Sequence, residues 1–479
     1  MGVAEADVIV VGGGIGGLTA AMLLARDGHR VRLLERDPAP PPGEVGDPGD
    51  AGECWTGWER RGVNQFRMLH LFLPRWREVV EAELPELPAA LEAAGALRLN
   101  YLADIPTQIS GGHRPGDERF DMITGRRPVI EGVLARAAAA TPGLTIERGV
   151  AVTGLVRADH PRLPGIPHVT GVETEDGRLL HADLVVDAGG RRSPASRWLA
   201  ALGGPPPVEE HEDCGWVYYG RHFRSPDGSL PPAFGPPLQP YDSVSLLTLA
   251  ADNGTWGVGI VTSAADPVLR AARHEETWTR IVKNYPLVAH WLEGEPITGI
   301  DVMAKLEDRH TRLWRDGTPV VTGLVSVGDA WACTNPSAGR GASIAGLHAV
   351  CLRDVLREAP ATDPVALAHR FDEATLATVE PLYQETLRSD RHRLAEIDAQ
   401  IEGRPYETDD PEWHQLEALR RGAPLHPDLL RGNLAIRALL DRPAEVWARP
   451  GIPEAAAAIG DPPEAPGPSR SELVALIAG

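Results

Sequence analysis

The hydrophobic pattern opens with an apolar run, Asp7-Val8-Ile9-Val10-Val11, that ends on Gly12-Gly13-Gly14-Ile15-Gly16-Gly17. A short apolar run closed by glycines reads as a buried strand entering a tight turn. Residues from Leu18 to about Arg26 then read as a helix, with Gly28 placed to stop it. Arg30 to Glu35 reads as a second strand. Strand, glycine turn, helix, strand and terminal acid make a dinucleotide-binding βαβ unit. Gly12 and Gly14 let the backbone turn and approach a pyrophosphate, and Gly17 lets the helix pack close to the sheet. The N–H groups at the helix start, with Ile15 and Gly16 among them, are expected to receive the phosphates. Glu35 is placed to accept from a ribose hydroxyl, which disfavours a 2′-phosphate; Arg36 beside it offsets part of that charge. FAD and NAD stay equally open on these residues.

The same pattern returns near position 330. Thr318 to Val327 reads as a strand and Ala342 to about Leu356 as a helix, joined by Gly328-Asp329-Ala330, Pro336 and Gly339-Arg340-Gly341. Between the two units, Ala182 to Asp187 reads as a strand. It passes Gly189-Gly190, Arg191, Arg192 and Ser193 toward a helix at Ser196 to Leu202. Gly125-Arg126-Arg127-Pro128 leads a helix to about Ala139, and Gly149 to Leu155 reads as a strand. Residues 207 to about 305 change character. Trp216 to Arg224 and Val244 to Leu249 read as strands, and Asp252-Asn253-Gly254 as a hairpin turn into Trp256 to Val261. Pro38 to Gly52 reads as a loop. The chain turns helical from about 366 and Pro-rich near its end.

Taken together, these residues resemble the FAD-dependent monooxygenases of the para-hydroxybenzoate hydroxylase and squalene epoxidase-like superfamily over residues 5 to 360. The stretch GDAWACTNPSAGRG is similar to that family's second FAD signature. The resemblance implies that Asp329 holds the ribityl chain. It also implies that Pro336, Gly339, Arg340 and Gly341 place a helix N-terminus at the pyrimidine edge of the flavin, where reduced flavin gathers negative charge. It further implies Arg127 on the flavin side and the backbone of Val152 against adenine. Two departures stand out: the family's Asn and Asp after the last glycine are Ser343 and His348 here. Asp187 to Gly190 is closer to the variant in flavin-dependent halogenases and geranylgeranyl reductases, or Asp187 simply closes a turn.

The expected fold is therefore α/β: a Rossmann-like FAD-binding domain interleaved with an antiparallel β-sheet substrate domain, plus a helical C-terminal region. The divisions are 1–205, 206–305, 306–360 and 361–479. The expected function is FAD-dependent hydroxylation or epoxidation of a small apolar organic substrate through a flavin hydroperoxide. FAD would be held without a covalent link, O2 consumed, and NAD(P)H the donor, directly or through a flavin reductase. A dehydrogenase or saturase of the geranylgeranyl reductase type is the main alternative. Resemblance to the flavin-dependent halogenases would require a lysine after the first turn and a Trp-x-Trp-x-Ile-Pro stretch; no lysine precedes Lys283 and no such stretch occurs.

Composition changes this picture only by exclusion. A net charge of −20 argues against nucleic acid and anionic membranes. No apolar run reaches the ~18 residues of a membrane span. No basic region precedes the first apolar run, and Cys54, Cys214, Cys333 and Cys351 lack metal or redox spacing, so a cytoplasmic protein without metal is expected. For chemistry beyond the cofactor, Arg60 to Arg77 combines Gln65, His70 and Arg75 with Phe66, Leu71, Phe72 and Trp76. Gln65, His70 and Arg75 are the catalytic candidates, with His70 able to bond a flavin or substrate oxygen or to move a proton.

Overall fold

The computed structural model describes residues 5–43, 51–159, 163–460 and 465–478. Its centre is a five-stranded parallel sheet in the order Leu324–Ser326, Leu184–Asp187, Asp7–Val11, Arg30–Glu35, Leu144–Arg148. Successive side chains of a strand point to opposite faces, and the first strand divides accordingly. Val8 and Val10 pack beneath the helices Ile15–Arg26, Arg127–Ala140 and Gly341–Glu358. Ile9 joins Val169, Val172, Trp198 and Leu199 on the opposite face, where a three-stranded antiparallel sheet covers it. Both faces are thus buried, as a parallel sheet requires.

The second sheet is antiparallel and runs Leu238–Tyr241, Val244–Ala251, Thr255–Ser263, Trp216–Arg224, Glu295–Pro296. Asn253 and Gly254 both have positive φ, 51° and 65°, and close the tight turn Asp252–Gly254 between the paired Ala251 and Thr255. Alternation again decides the faces. Val217, Tyr219, Leu246, Val258 and Ile260 pack against Trp278 of the helix Glu275–Lys283. Trp216, Tyr218, Leu247, Leu249 and Val261 turn the other way, toward Leu69 and Leu71.

The expected α/β architecture is present, with several local differences. The N-terminal helix starts at Ile15, so glycines 16 and 17 lie inside it. The expected strand Thr318–Val327 is broken: Gly323 has φ +74°, Thr318–Pro319 pairs with Trp314–Arg315, and only Leu324–Ser326 enters the parallel sheet. Gly149 has φ +72°, so its strand begins later and runs Val152–Asp159. Of the Pro38–Gly52 loop, residues 44–50 lie outside the described residues, and Ala51–Gly52 begin a short helix, Ala51–Thr56.

The C-terminal third is helical: Pro364–Thr378, Glu380–Ile401, Pro411–Gly422 and Pro427–Arg437, then shorter pieces. The final helix, Arg470–Ala478, returns to the antiparallel sheet, where Leu473 is fully buried. Arg470 makes a two-pronged ion pair of 2.6 and 3.0 Å with Asp266. Among the described residues no helix is long and apolar enough to cross a membrane.

Candidate FAD and substrate cavity

The glycine turn is built by contact distances. A Cβ on Gly12, whose φ is +108°, would stand 2.5 Å from the Ala188 carbonyl oxygen; one on Gly17 would stand 2.0 Å from that of Gly12. No side chain fits at either position. The helix Ile15–Arg26 begins without a side-chain cap, so its first N–H groups are free to meet a ligand. Gly14, Ile15, Gly16 and Gly17 all face a cavity of about 1870 Å³. Arg127 heads its own helix and reaches within 3.8 Å of a Cβ placed on Gly14, while its Nε donates to Glu131 at 2.8 Å. Free N–H groups, a helix dipole and a guanidinium together fit a pyrophosphate.

Across the cavity, Gly328 has φ +57° and Asp329 is half-buried, with no hydrogen-bond partner among the described residues. Pro336, Gly339, Arg340 and Gly341 line the same wall at the start of the helix Gly341–Glu358. An unpaired carboxylate beside a free helix start is the donor and acceptor set that a ribityl chain and a flavin edge need. Arg340 is buried, and its guanidinium donates to Thr386 at 2.8 Å on the helix Glu380–Ile401. His348, which stands where the resembling family has an acid, supports this wall from behind. Its Nδ1 accepts from the Gly328 N–H at 3.3 Å, and its Nε2–H donates to Thr375 at 3.1 Å. Burial holds its pKa near 3, so it stays neutral. Ser343 is fully buried beside it.

Three cofactor candidates stand apart from the cavity wall. Glu35 is turned inward: it accepts from Gly13 N–H at 2.7 Å, from Asp37 N–H at 2.8 Å and from Arg60 at 2.6 Å. Arg60 is itself shared with Asp37 and Glu131, so the carboxylate expected at the ribose is held in a buried ionic cluster. Arg36 donates to the Gly62 carbonyl at 2.9 Å near the surface. Val152 lies in the three-stranded sheet, beside the same apolar layer as Ile9 and Leu34. Asp187 closes its turn, accepting from Gly189 N–H at 2.9 Å and from Ser193. Burial pushes its carboxyl up.

The catalytic candidates also separate. Gln65 and His70 line the cavity. The His70 Nδ1 sits 2.9 Å from the Met68 carbonyl, which only accepts; Nδ1 therefore carries the hydrogen and Nε2 keeps a lone pair. Burial and then Arg127 lower its pKa to about 3, so it is neutral at physiological pH. Arg75 differs from Gln65 and His70 in lying outside the cavity lining. Its guanidinium donates to the carbonyls of Leu439 and Leu440, each at 2.7 Å. Leu439, just past the helix Pro427–Arg437, has φ 58°, and its carbonyl needs a donor outside the helix.

The rest of the cavity is roofed by the inner face of the antiparallel sheet, with Trp216, Tyr218, Leu247 and Val261, and by Leu69 and Leu71. Several polar residues there carry no sequence signal. Tyr218 donates to the Asn335 side chain, and Asn335 N–H donates to Asp308 at 2.8 Å. Burial raises the Asp308 carboxyl to about 6 and that of Asp390 to about 7. Asp390, Arg393, Arg420 and Arg437 reach the cavity from the C-terminal helices.

Comparison with known proteins supports the cofactor independently. Residues 7–126 match the FAD dependent oxidoreductase family model. Protein Rv3254 of Mycobacterium tuberculosis is 26% identical over 389 residues, 78% of this chain and 78% of that protein. The 6-methylpretetramide 4-monooxygenase of Streptomyces rimosus is 30% identical over 207 residues, 42% of this chain and 41% of that enzyme. Among solved structures, CmlS, a flavin-dependent halogenase, shares the fold with a TM-score of 0.60 at 16% identity, across 87% of this chain and 73% of that one. Two glycine-built walls and the match over residues 7–126 support FAD as the cofactor of an oxidoreductase.

Proposed function

We propose that the chain is a monooxygenase that uses FAD, O2 and NAD(P)H to add one oxygen atom to an apolar, ring-bearing organic molecule. The observation that carries this reading is the continuity of the cavity, from the glycine turn and Asp329 to the apolar inner face of the sheet. Its volume, about 1870 Å³, exceeds the roughly 300–1,000 Å³ that one drug-sized ligand fills, leaving room for a dinucleotide and a substrate together. When bound, FAD supplies the two-electron chemistry between NAD(P)H and O2. In the overall reaction one oxygen atom enters the substrate and the other leaves as water.

The protein's own share is position and dryness. Leu69, Leu71, Leu247 and Val261 exclude water where the ring would lie. Gly14 to Gly17, Arg127 and Asp329 hold the cofactor, with Pro336, Gly339, Arg340 and Gly341 shaping its edge. His70 offers a neutral acceptor at Nε2 to a substrate hydroxyl, and Gln65 a second polar contact. The similarity to a 6-methylpretetramide 4-monooxygenase supports a polycyclic substrate. A halogenase is favoured by the fold of CmlS, but Lys283 and Lys305, the chain's only lysines, do not line the cavity.

The test is spectroscopic. The purified protein should be yellow, release all its flavin on denaturation, and bleach with NADH or NADPH under nitrogen. Arg191 faces the cavity and Arg192 is exposed beside it, a place for transient nucleotide docking. Oxygen uptake with substrate then separates a monooxygenase from a saturase, which would bleach and transfer hydride without consuming O2. Bleaching only by reduced free flavin or an added reductase would assign electron supply to a partner protein.

A further inference from the structure

Arg437 ends the helix Pro427–Arg437 and turns its guanidinium into the cavity. Its one hydrogen bond among the described residues is long, 3.4 Å to the Leu238 carbonyl at the edge of the antiparallel sheet. The neighbouring arginines differ. Arg393 is paired with Glu396, and Arg420 with Glu417, so both are neutralised locally. Among the described residues no carboxylate pairs with Arg437. The nearby cations, Arg340 and the Glu417-paired Arg420, both disfavour its charge. The other group near it is the phenol of Tyr101, which burial pushes up to about 12, so it supplies no anion. The helix's carboxyl end returns only about half a charge. A guanidinium taken from water without a counter-charge is costly, and the cost falls when a ligand brings the missing anion.

We infer that Arg437 is the anchor for an anionic oxygen of the substrate, a carboxylate or an acidic enol, which fixes the apolar ring between the sheet and the flavin wall. The inference rests on the monooxygenase reading for the word substrate only; the anion site itself is independent of turnover. Arg437 sits between Leu238 on the sheet edge and Arg340 on the flavin wall, so a ring held there by one end presents its other end along the cavity. Planar guanidinium donors also select geometry, since two parallel N–H groups match a carboxylate or an enolate with its neighbouring carbonyl.

Equilibrium binding to the FAD-loaded protein tests this without reductant. The probes are 1-naphthoate against 1-naphthamide for the carboxylate, and 2-hydroxy-1,4-naphthoquinone against its methyl ether for the enol. At least one acid should bind tenfold or more tightly than its neutral partner, and the pair that discriminates identifies the group. Arg437→Gln should bring that ratio close to one, Arg437→Lys should keep part of it, and both should retain FAD. Equal binding of both acids and their neutral partners in the wild type overturns the inference. So does discrimination that survives Arg437→Gln. If Arg437→Gln does not fold, Arg437→Lys decides: a ratio unchanged from wild type for both a carboxylate and an enol overturns the bidentate anchor. Anion discrimination with no oxygen uptake by any substrate would leave this site standing and remove the monooxygenase reading.

Discussion

The two ends of the cavity are made of different material. At the flavin end, backbone forms the surface: Gly12 and Gly17 leave no room for a Cβ, and the helix Ile15–Arg26 offers bare N–H groups. At the C-terminal end, long side chains form it, with Arg393 and Arg437 crossing from helix to sheet and Arg420 beside them. A surface of backbone tolerates almost no substitution, because its shape is the turn itself. A surface of side chains can be changed residue by residue while the helices beneath it stay put. The first suits a ligand common to many proteins, the second a ligand particular to one.

That contrast fails if the glycine end proves soft. Gly17→Val is expected to have the largest effect: overlap with the Gly12 carbonyl should cost at least a hundredfold in FAD affinity, about 3 kcal/mol. Flavin retained after desalting, with circular dichroism to report the fold, measures it; wild-type retention would contradict a backbone-built site. Asp329→Ala removes one charge-assisted hydrogen bond and should weaken FAD ten- to a hundredfold, about 1.5–3 kcal/mol, with the fold intact. Unchanged affinity would remove Asp329 from the cofactor's contacts.

Arg75→Ala sharpens the comparison from outside the cavity. Two carbonyls, Leu439 and Leu440, lose their donor, so urea unfolding should report a loss of about 1–2 kcal/mol with FAD affinity unchanged. A specific loss of turnover at full stability would return Arg75 to the chemistry. Asp390 tests the C-terminal wall through pH. Its folded carboxyl titrates near 7, above its ordinary value of 3.8, because it is buried. The unfolded chain therefore loses this proton first. Stability from this group is complete below about pH 4 and declines as pH rises to about 7. Asp390→Asn should flatten that part of the melting-temperature profile; an unchanged slope would place the ionisation elsewhere. Arg36→Ala should change stability and FAD affinity least, within about 0.5 kcal/mol, since it loses only a surface contact to Gly62.

The legible part of the molecule is the part whose chemistry is local in sequence. Gly12 to Gly17 and Gly328 to Gly341 each pack a strand end, a turn and a helix start into a few residues, so spacing alone reveals them. Trp216–Arg224 and its hairpin neighbours were equally plain, because period two and Asn-Gly are short-range signals. Glu35 shows the limit. Its position at a strand end was clear, but Arg60, 25 residues on, captures its carboxylate. Arg75 looked catalytic because it neighbours His70; the two carbonyls it holds lie more than 360 residues away. Tyr218, Asn335, Asp308 and Asp390 meet only through tertiary packing, and no spacing rule links them.

The order of strands in the parallel sheet has a consequence for how the enzyme is made. Its edge strand, Leu324–Ser326, pairs with Leu184–Asp187, which in turn pairs with the first strand of the chain. A nascent chain cannot complete the flavin wall until residue 341 and its helix have left the ribosome, so cofactor capture must follow the synthesis of both halves of the wall. The substrate end waits on residues further along, since Pro468 and Ser469 line the cavity and Arg470 must reach back to Asp266. A chain released early would hold flavin behind an unfinished entrance, a state in which reduced cofactor meets oxygen without a substrate to receive it.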